Sequence, residues 1–169
     1  MQLTMFSDLA LRVLMYTQAA GDRLVTIDEI TGAYNVSRAH LNKVVNALTR
    51  AGYLKAVRGR AGGVRLGKPP EEIGIGNVIR ATEPDFALVE CFATGNQCVI
   101  TKCCRLKGVL DDALQAFLTT LDQHTLATIA LKPREFPISP RHPRHGKAQD
   151  DLATENVRLK SPVVRPKAS

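Results

Sequence analysis

The sequence predicts a mainly α-helical fold with a small β-hairpin wing: a winged helix-turn-helix followed by a long dimerisation helix. Three observations predict it. Two short capped helical segments, at 27–33 and 38–50, are separated by the tight turn Tyr34-Asn35-Val36 and followed by an alternating stretch at 53–57. Residues 37–68 carry eight basic and no acidic side chains, whereas residues 1–36 carry two basic and four acidic. Finally, residues 104–122 present one broad apolar helical face that a small domain cannot cover alone.

A first helix is expected over 7–20, from the recurrence of Leu9, Val13 and Tyr16, with Gly21 ending it. Thr26 and Glu29 form a capping-box pattern, T-I-D-E, that opens a second helix with Ile27 and Ile30 facing inward. Ser37 caps the third helix, whose stripe is Leu41, Val44, Val45 and Leu48, and Gly52 stops it. In a helix-turn-helix the start of this helix enters the major groove, which makes Ser37, Arg38, His40 and Lys43 the candidate DNA contacts. Leu41 reads as core. Residues 53–57 and 64–66 form a hairpin around the tip Arg58-Gly59-Arg60-Ala61-Gly62-Gly63. Arg58, Arg60 and Arg65 are placed to meet phosphates, with the glycines permitting the tip.

A short helix is expected at 75–82, a cysteine loop at 84–103, and the long helix at 104–122. A further helical stretch is expected at 125–131. The apolar face of the long helix comprises Leu106, Leu110, Ala113, Leu114, Phe117, Leu118 and Leu121. Packing on its twin in a homodimer is the favoured reading, and an intramolecular core helix is the alternative. From residue 132 six of the nine prolines occur amid basic and polar residues, the composition of a disordered basic tail. The expected division is therefore a DNA-binding domain at 1–83, a cluster-binding loop at 84–103, a dimerisation region at 104–131 and the tail at 132–169.

No run of about 18 apolar residues is present to span a membrane. The N-terminus lacks the basic start of a secretory signal, and Asp8 and Arg12 interrupt its apolar run. A cytoplasmic protein is expected. In that reducing compartment clustered cysteines are more often metal ligands or redox groups than disulfides.

All four cysteines, Cys91, Cys98, Cys103 and Cys104, lie within fourteen residues as C-x6-C-x4-C-C. Zinc sites favour paired C-x2-4-C knuckles, and Cys91 has no close partner. Adjacent cysteines rarely both reach one small ion, whereas an iron–sulfur cluster tolerates longer gaps. The spacing therefore favours a cluster, with a zinc or thiol-redox site as the alternative. With one of the adjacent pair set aside, three thiolates remain, and one iron position is left for another ligand. An enzyme is not expected: there is no second cysteine set, no nucleotide-binding glycine fingerprint and no His/Asp/Ser constellation.

The opening L-T-M-F-S-D-L-A-L-R, the helix S-R-A-H-L-N-K, the wing R-G-R-A-G-G-V-R-L and the final Cys-Arg-Leu resemble the Rrf-type iron–sulfur repressors. The likeness runs from residue 1 to about 131. It implies a homodimeric repressor that binds operator DNA when loaded and releases it when nitric oxide attacks the cluster, with [4Fe–4S] favoured over [2Fe–2S]. The alternative signal is cluster status or iron. The family's third cysteine ligand precedes Arg-Leu, which selects Cys104 to join Cys91 and Cys98. Cys103 stands where the family usually has another residue. The F-x-D segment implies Asp8, from the partner subunit, as fourth ligand. A sister regulator in the family carries histidine three residues after its last cysteine; Lys107 here departs from that pattern.

Overall fold

The computed structural model describes residues 2–131; the tail expected at 132–169 lies outside them. Helix α1 spans Met5–Ala19, α2 Ile27–Tyr34 and α3 Arg38–Arg50. Strands β1 (Leu54–Val57) and β2 (Gly63–Leu66) follow, then α4 (Ile75–Thr82) and α5 (Arg105–Asp122). Two single 3-10 turns, Pro70–Glu72 and Glu90–Phe92, punctuate the connections.

Each early helix begins on the residue type that satisfies its free N–H groups. The hydroxyls of Thr4, Thr26 and Ser37 accept from the backbone N–H of Ser7, Glu29 and His40. The capping box at Thr26 is only half formed. The Glu29 carboxylate is engaged instead by the Tyr16 hydroxyl at 2.9 Å and by Arg23 at 2.7 Å. Helix α3 ends in a Schellman arrangement: Tyr53 N–H donates to Leu48 O and Gly52 N–H to Thr49 O, with Gly52 at φ 76°. Asn35, at φ 50°, makes the left-handed turn between α2 and α3.

The core collects Leu9, Val13, Leu14 and Tyr16 from α1, Ile30 from α2, and Leu41, Val44, Val45 and Leu48 from α3. Leu54 and Val64 close it from the hairpin, and Ile73, Val78 and Leu126 from below. The hairpin register pairs Leu54 with Leu66, Lys55 with Arg65, Ala56 with Val64 and Val57 with Gly63. Val64 also exchanges both backbone hydrogen bonds with Val25, at 2.8 and 2.9 Å, which ties the wing to the start of α2. Gly63 makes that approach possible, since a Cβ there would lie 2.7 Å from Val25 O.

Two expectations change. Residues 125–131 form turns rather than a helix. Leu126 N–H donates to Ile73 O and Ala127 N–H to Pro70 O, while Thr128 N–H and Ala130 N–H close tight turns onto Thr125 O and Ala127 O instead of extending a helical ladder. The expected single face of α5 is also divided. Leu114 and Leu118 are buried against α4, while Leu106 stands 61% exposed.

Candidate nucleic-acid interface and cysteine loop

The basic segment leaves its charged side chains exposed on α3 and on the wing. Ser37, Arg38, His40 and Lys43 are all exposed at the start of α3, and Leu41 is fully buried beneath them. Ser37 is held as the cap. Arg38 pairs with Asp28 of α2, a pair open to solvent on both sides. Arg58, Arg60 and Arg65 are exposed on the wing. Register places Lys55 directly opposite Arg65, two like charges side by side on an exposed ribbon. Such pairs destabilise a hairpin, and an anion between them offsets the cost.

The four cysteines are free thiols. Cys91 and Cys104 line one cavity of about 750 Å³, together with Asp85, Phe86, Phe92, Lys107 and Asp111. Cys98 is half-buried on the neighbouring turn, where Thr101 N–H and hydroxyl both bond its carbonyl. Cys103 is exposed, and its thiol donates to Ile100 O at 3.4 Å. Of the adjacent pair, then, Cys104 faces the cavity and Cys103 does not line it. Among the described residues no three His, Cys, Asp or Glu side chains lie close enough to cage a metal ion.

Asp8 does not line the cavity within the chain. It sits in the first turns of α1, with its carboxylate held by Arg12 at 2.8 and 3.0 Å. Arg12 lies over the Tyr34 ring at 5.7 Å, and the Tyr34 hydroxyl donates to Arg12 O. Burial pushes Tyr34 up to about 12. The Asp8/Arg12 spacing of four was legible as a helical ion pair; the stack on Tyr34 was not.

Two further links lay outside sequence reasoning. Glu83, just before the cysteine loop, accepts from Thr4 N–H at 2.8 Å and from the Thr4 hydroxyl at 3.1 Å. Arg80 of α4 grips Asp122 at the end of α5, one bond being 2.7 Å. The hydrogen bond to Arg80, opposed by partial desolvation, leaves Asp122 below the usual carboxylate range. Both pairs join residues more than forty apart, and no local spacing signals them.

The family profile described as Rrf2, iron-dependent transcriptional regulator, matches residues 3–132. The chain belongs to the Rrf2 family. It is a DNA-binding transcriptional regulator and not an enzyme. The HTH-type transcriptional regulator NsrR of Geobacillus kaustophilus (strain HTA426) is 49% identical over 131 residues, 76% of this chain and 89% of that one. The NsrR regulator of Bacillus licheniformis is 48% identical over 133 residues, covering 78% and 93%. Among solved structures, the oxidized form of Staphylococcus aureus CymR superposes with a TM-score of 0.63 at 25% identity, covering 77% of this chain and 96% of that one. CymR of B. subtilis, the global cysteine regulator, gives 0.60 at 26% identity, covering 77% and 96%. These Rrf2 winged-helix neighbours share the architecture described above. No helix among the described residues is long and apolar enough to cross a membrane.

Proposed function

We propose that this Rrf2 regulator is a nitric-oxide-responsive repressor. Its homodimer, loaded with an iron–sulfur cluster, holds operator DNA and releases it when nitric oxide arrives. The observation that carries this reading is the shared open cavity of Cys91 and Cys104, which brings two cysteines thirteen positions apart onto one lining. The donor chemistry fits a cluster: four free thiols in one short segment, two of them on one cavity. The relatives named NsrR support the same assignment.

Cys91, Cys98 and Cys104 would hold the group, with Asp8 of the partner subunit as a fourth ligand. When bound, the cluster supplies iron that reacts with nitric oxide. The chain's own contribution is to convert a held loop into a fixed DNA-binding surface. Glu83 fastens the start of the loop to Thr4 at the cap of α1, and α1 packs on α3. The loop's state is thereby coupled to the recognition helix. Leu106 and Val109, exposed on α5, offer the apolar surface for the second copy. Ser37, Arg38, His40, Lys43 and the wing arginines form the DNA contacts.

Anaerobic purification with iron and sulfide quantitation tests the reading, followed by operator binding with and without nitric oxide. Coloured, iron-bearing protein whose DNA affinity collapses on exposure to nitric oxide is expected. Colourless protein with zinc, or with no metal and a thiol-dependent DNA response, would falsify it.

A further inference from the structure

Cys104, Lys107, Gly108 and Asp111 line the cysteine cavity together. Their spacing of three, four and seven puts them on one face of α5. Gly108 is the unusual member. It lies inside an 18-residue helix, where glycine is less favourable than alanine because it gives up more backbone freedom. No crowding within the chain demands it: a Cβ at this position would meet no heavy atom within 4 Å. The added atom would point into open space on a helix that walls the cavity.

Among the described residues, Lys107 is the only cation lining that cavity. Asp85 and Asp111 line it too, yet among the described residues no carboxylate lies within ion-pair distance of its ammonium. Two cysteines and two carboxylates share this one cavity with a single ammonium, which offsets negative charge gathered there. The same concentration of negative charge attracts a cationic metal centre.

We infer that this face of α5 is part of the cluster site itself, Gly108 leaving room for close approach of the bound group and Lys107 supplying positive charge beside its thiolates. The inference rests on the cluster reading above and extends it to two residues that are not ligands.

The test uses the full chain, reconstituted anaerobically with ferrous iron and sulfide, and measures iron and sulfide per chain, apo melting temperature and apo oligomeric state. Gly108→Ala should raise the apo melting temperature while lowering iron per chain, two effects of opposite sign. Gly108→Leu should lose nearly all iron with its apo circular dichroism unchanged. Lys107→Gln should release iron to a chelator faster by on the order of ten-fold, as loss of an outer partner does at other metal sites, and Lys107→Arg should restore retention. Wild-type iron loading in Gly108→Leu overturns the inference. So does an altered apo oligomeric state in that variant, which would assign Gly108 to a helix contact between copies. Wild-type protein that takes up neither iron nor sulfide overturns this inference and the cluster reading together, whereas loaded wild type with equally loaded variants overturns this one alone.

Discussion

Residues 9–82 bury side chains in every helix and in both strands, whereas residues 83–113 include not one buried residue. The first region is held by its own core. Beyond the link from Glu83 to Thr4, the second is held by short local hydrogen bonds, such as Gln97 N–H to Glu90 and the Thr101 hydroxyl to Asn96. Segments with few buried contacts open at low free energy. A region of this kind takes its shape from what it binds, so the binding of a small group can be felt by the rest of the molecule. Helix α3, by contrast, is seated on the core through Leu41, Val44, Val45 and Leu48.

The largest expected difference is in stability. Leu41→Ala should destabilise the chain by about 2–5 kcal/mol, the usual range for a fully buried leucine, measured by urea unfolding. Phe92→Ala, in the loop, should move the apo midpoint by roughly 0.5 kcal/mol or less. An apo cost at Phe92 equal to that at Leu41 would break the contrast. Iron content should show the reverse order. Cys104→Ala should abolish iron binding, Asp8→Ala should weaken its retention, and Cys103→Ala should leave it intact. Iron lost in Cys103→Ala and kept in Cys104→Ala would reverse the choice within the adjacent pair.

A smaller effect is expected at the wing. Lys55→Gln or Arg65→Gln should each reduce the slope of log affinity against log salt by about 0.9 if each meets one phosphate. Neither should lower the melting temperature, because each relieves the like-charge pair across the hairpin. An unchanged slope would remove that residue from the interface.

The smallest effects are in pH dependence, and they concern the packed half alone. Burial works to raise Glu29, but hydrogen bonds from Arg23 and Tyr16 outweigh it and leave the carboxyl below its ordinary 4.5. Its contribution to stability is complete above that value and is lost as pH falls through the lowered one. Glu29→Gln should flatten the acid side of the melting curve. Tyr34, raised by burial from 10.0 to about 12, contributes stability that is complete below pH 10 and fades between 10 and 12. Alkaline melting of Tyr34→Phe should lack that decline.

Sequence reasoning went furthest where signals are local. Ser37, the stripe from Leu41 to Leu48, Gly52 and the alternation after it located α3 and the wing, and the bounds of α4 matched those expected. It failed at residues 125–131, where a local helical pattern gave way to tight turns on a segment tied by its backbone to residues 70–73, a long-range contact that local spacing does not signal. The face of α5 was legible as apolar, but its division between α4 and solvent depends on packing geometry that periodicity does not carry. At the candidate site the cysteines announced themselves by type and spacing. That Cys104 lines the cavity and Cys103 does not follows from the turn ending at the cap of α5, a matter of direction rather than composition.

The backbone exchange between Val25 and Val64 has a mechanical consequence. The wing is fastened to the start of α2, and α2 leads directly into the turn before α3. Wing and recognition helix therefore behave as two prongs of one fork with a set gap. If both prongs meet the duplex as proposed, a signal that loosens this protein from DNA is expected to shift them together rather than one at a time.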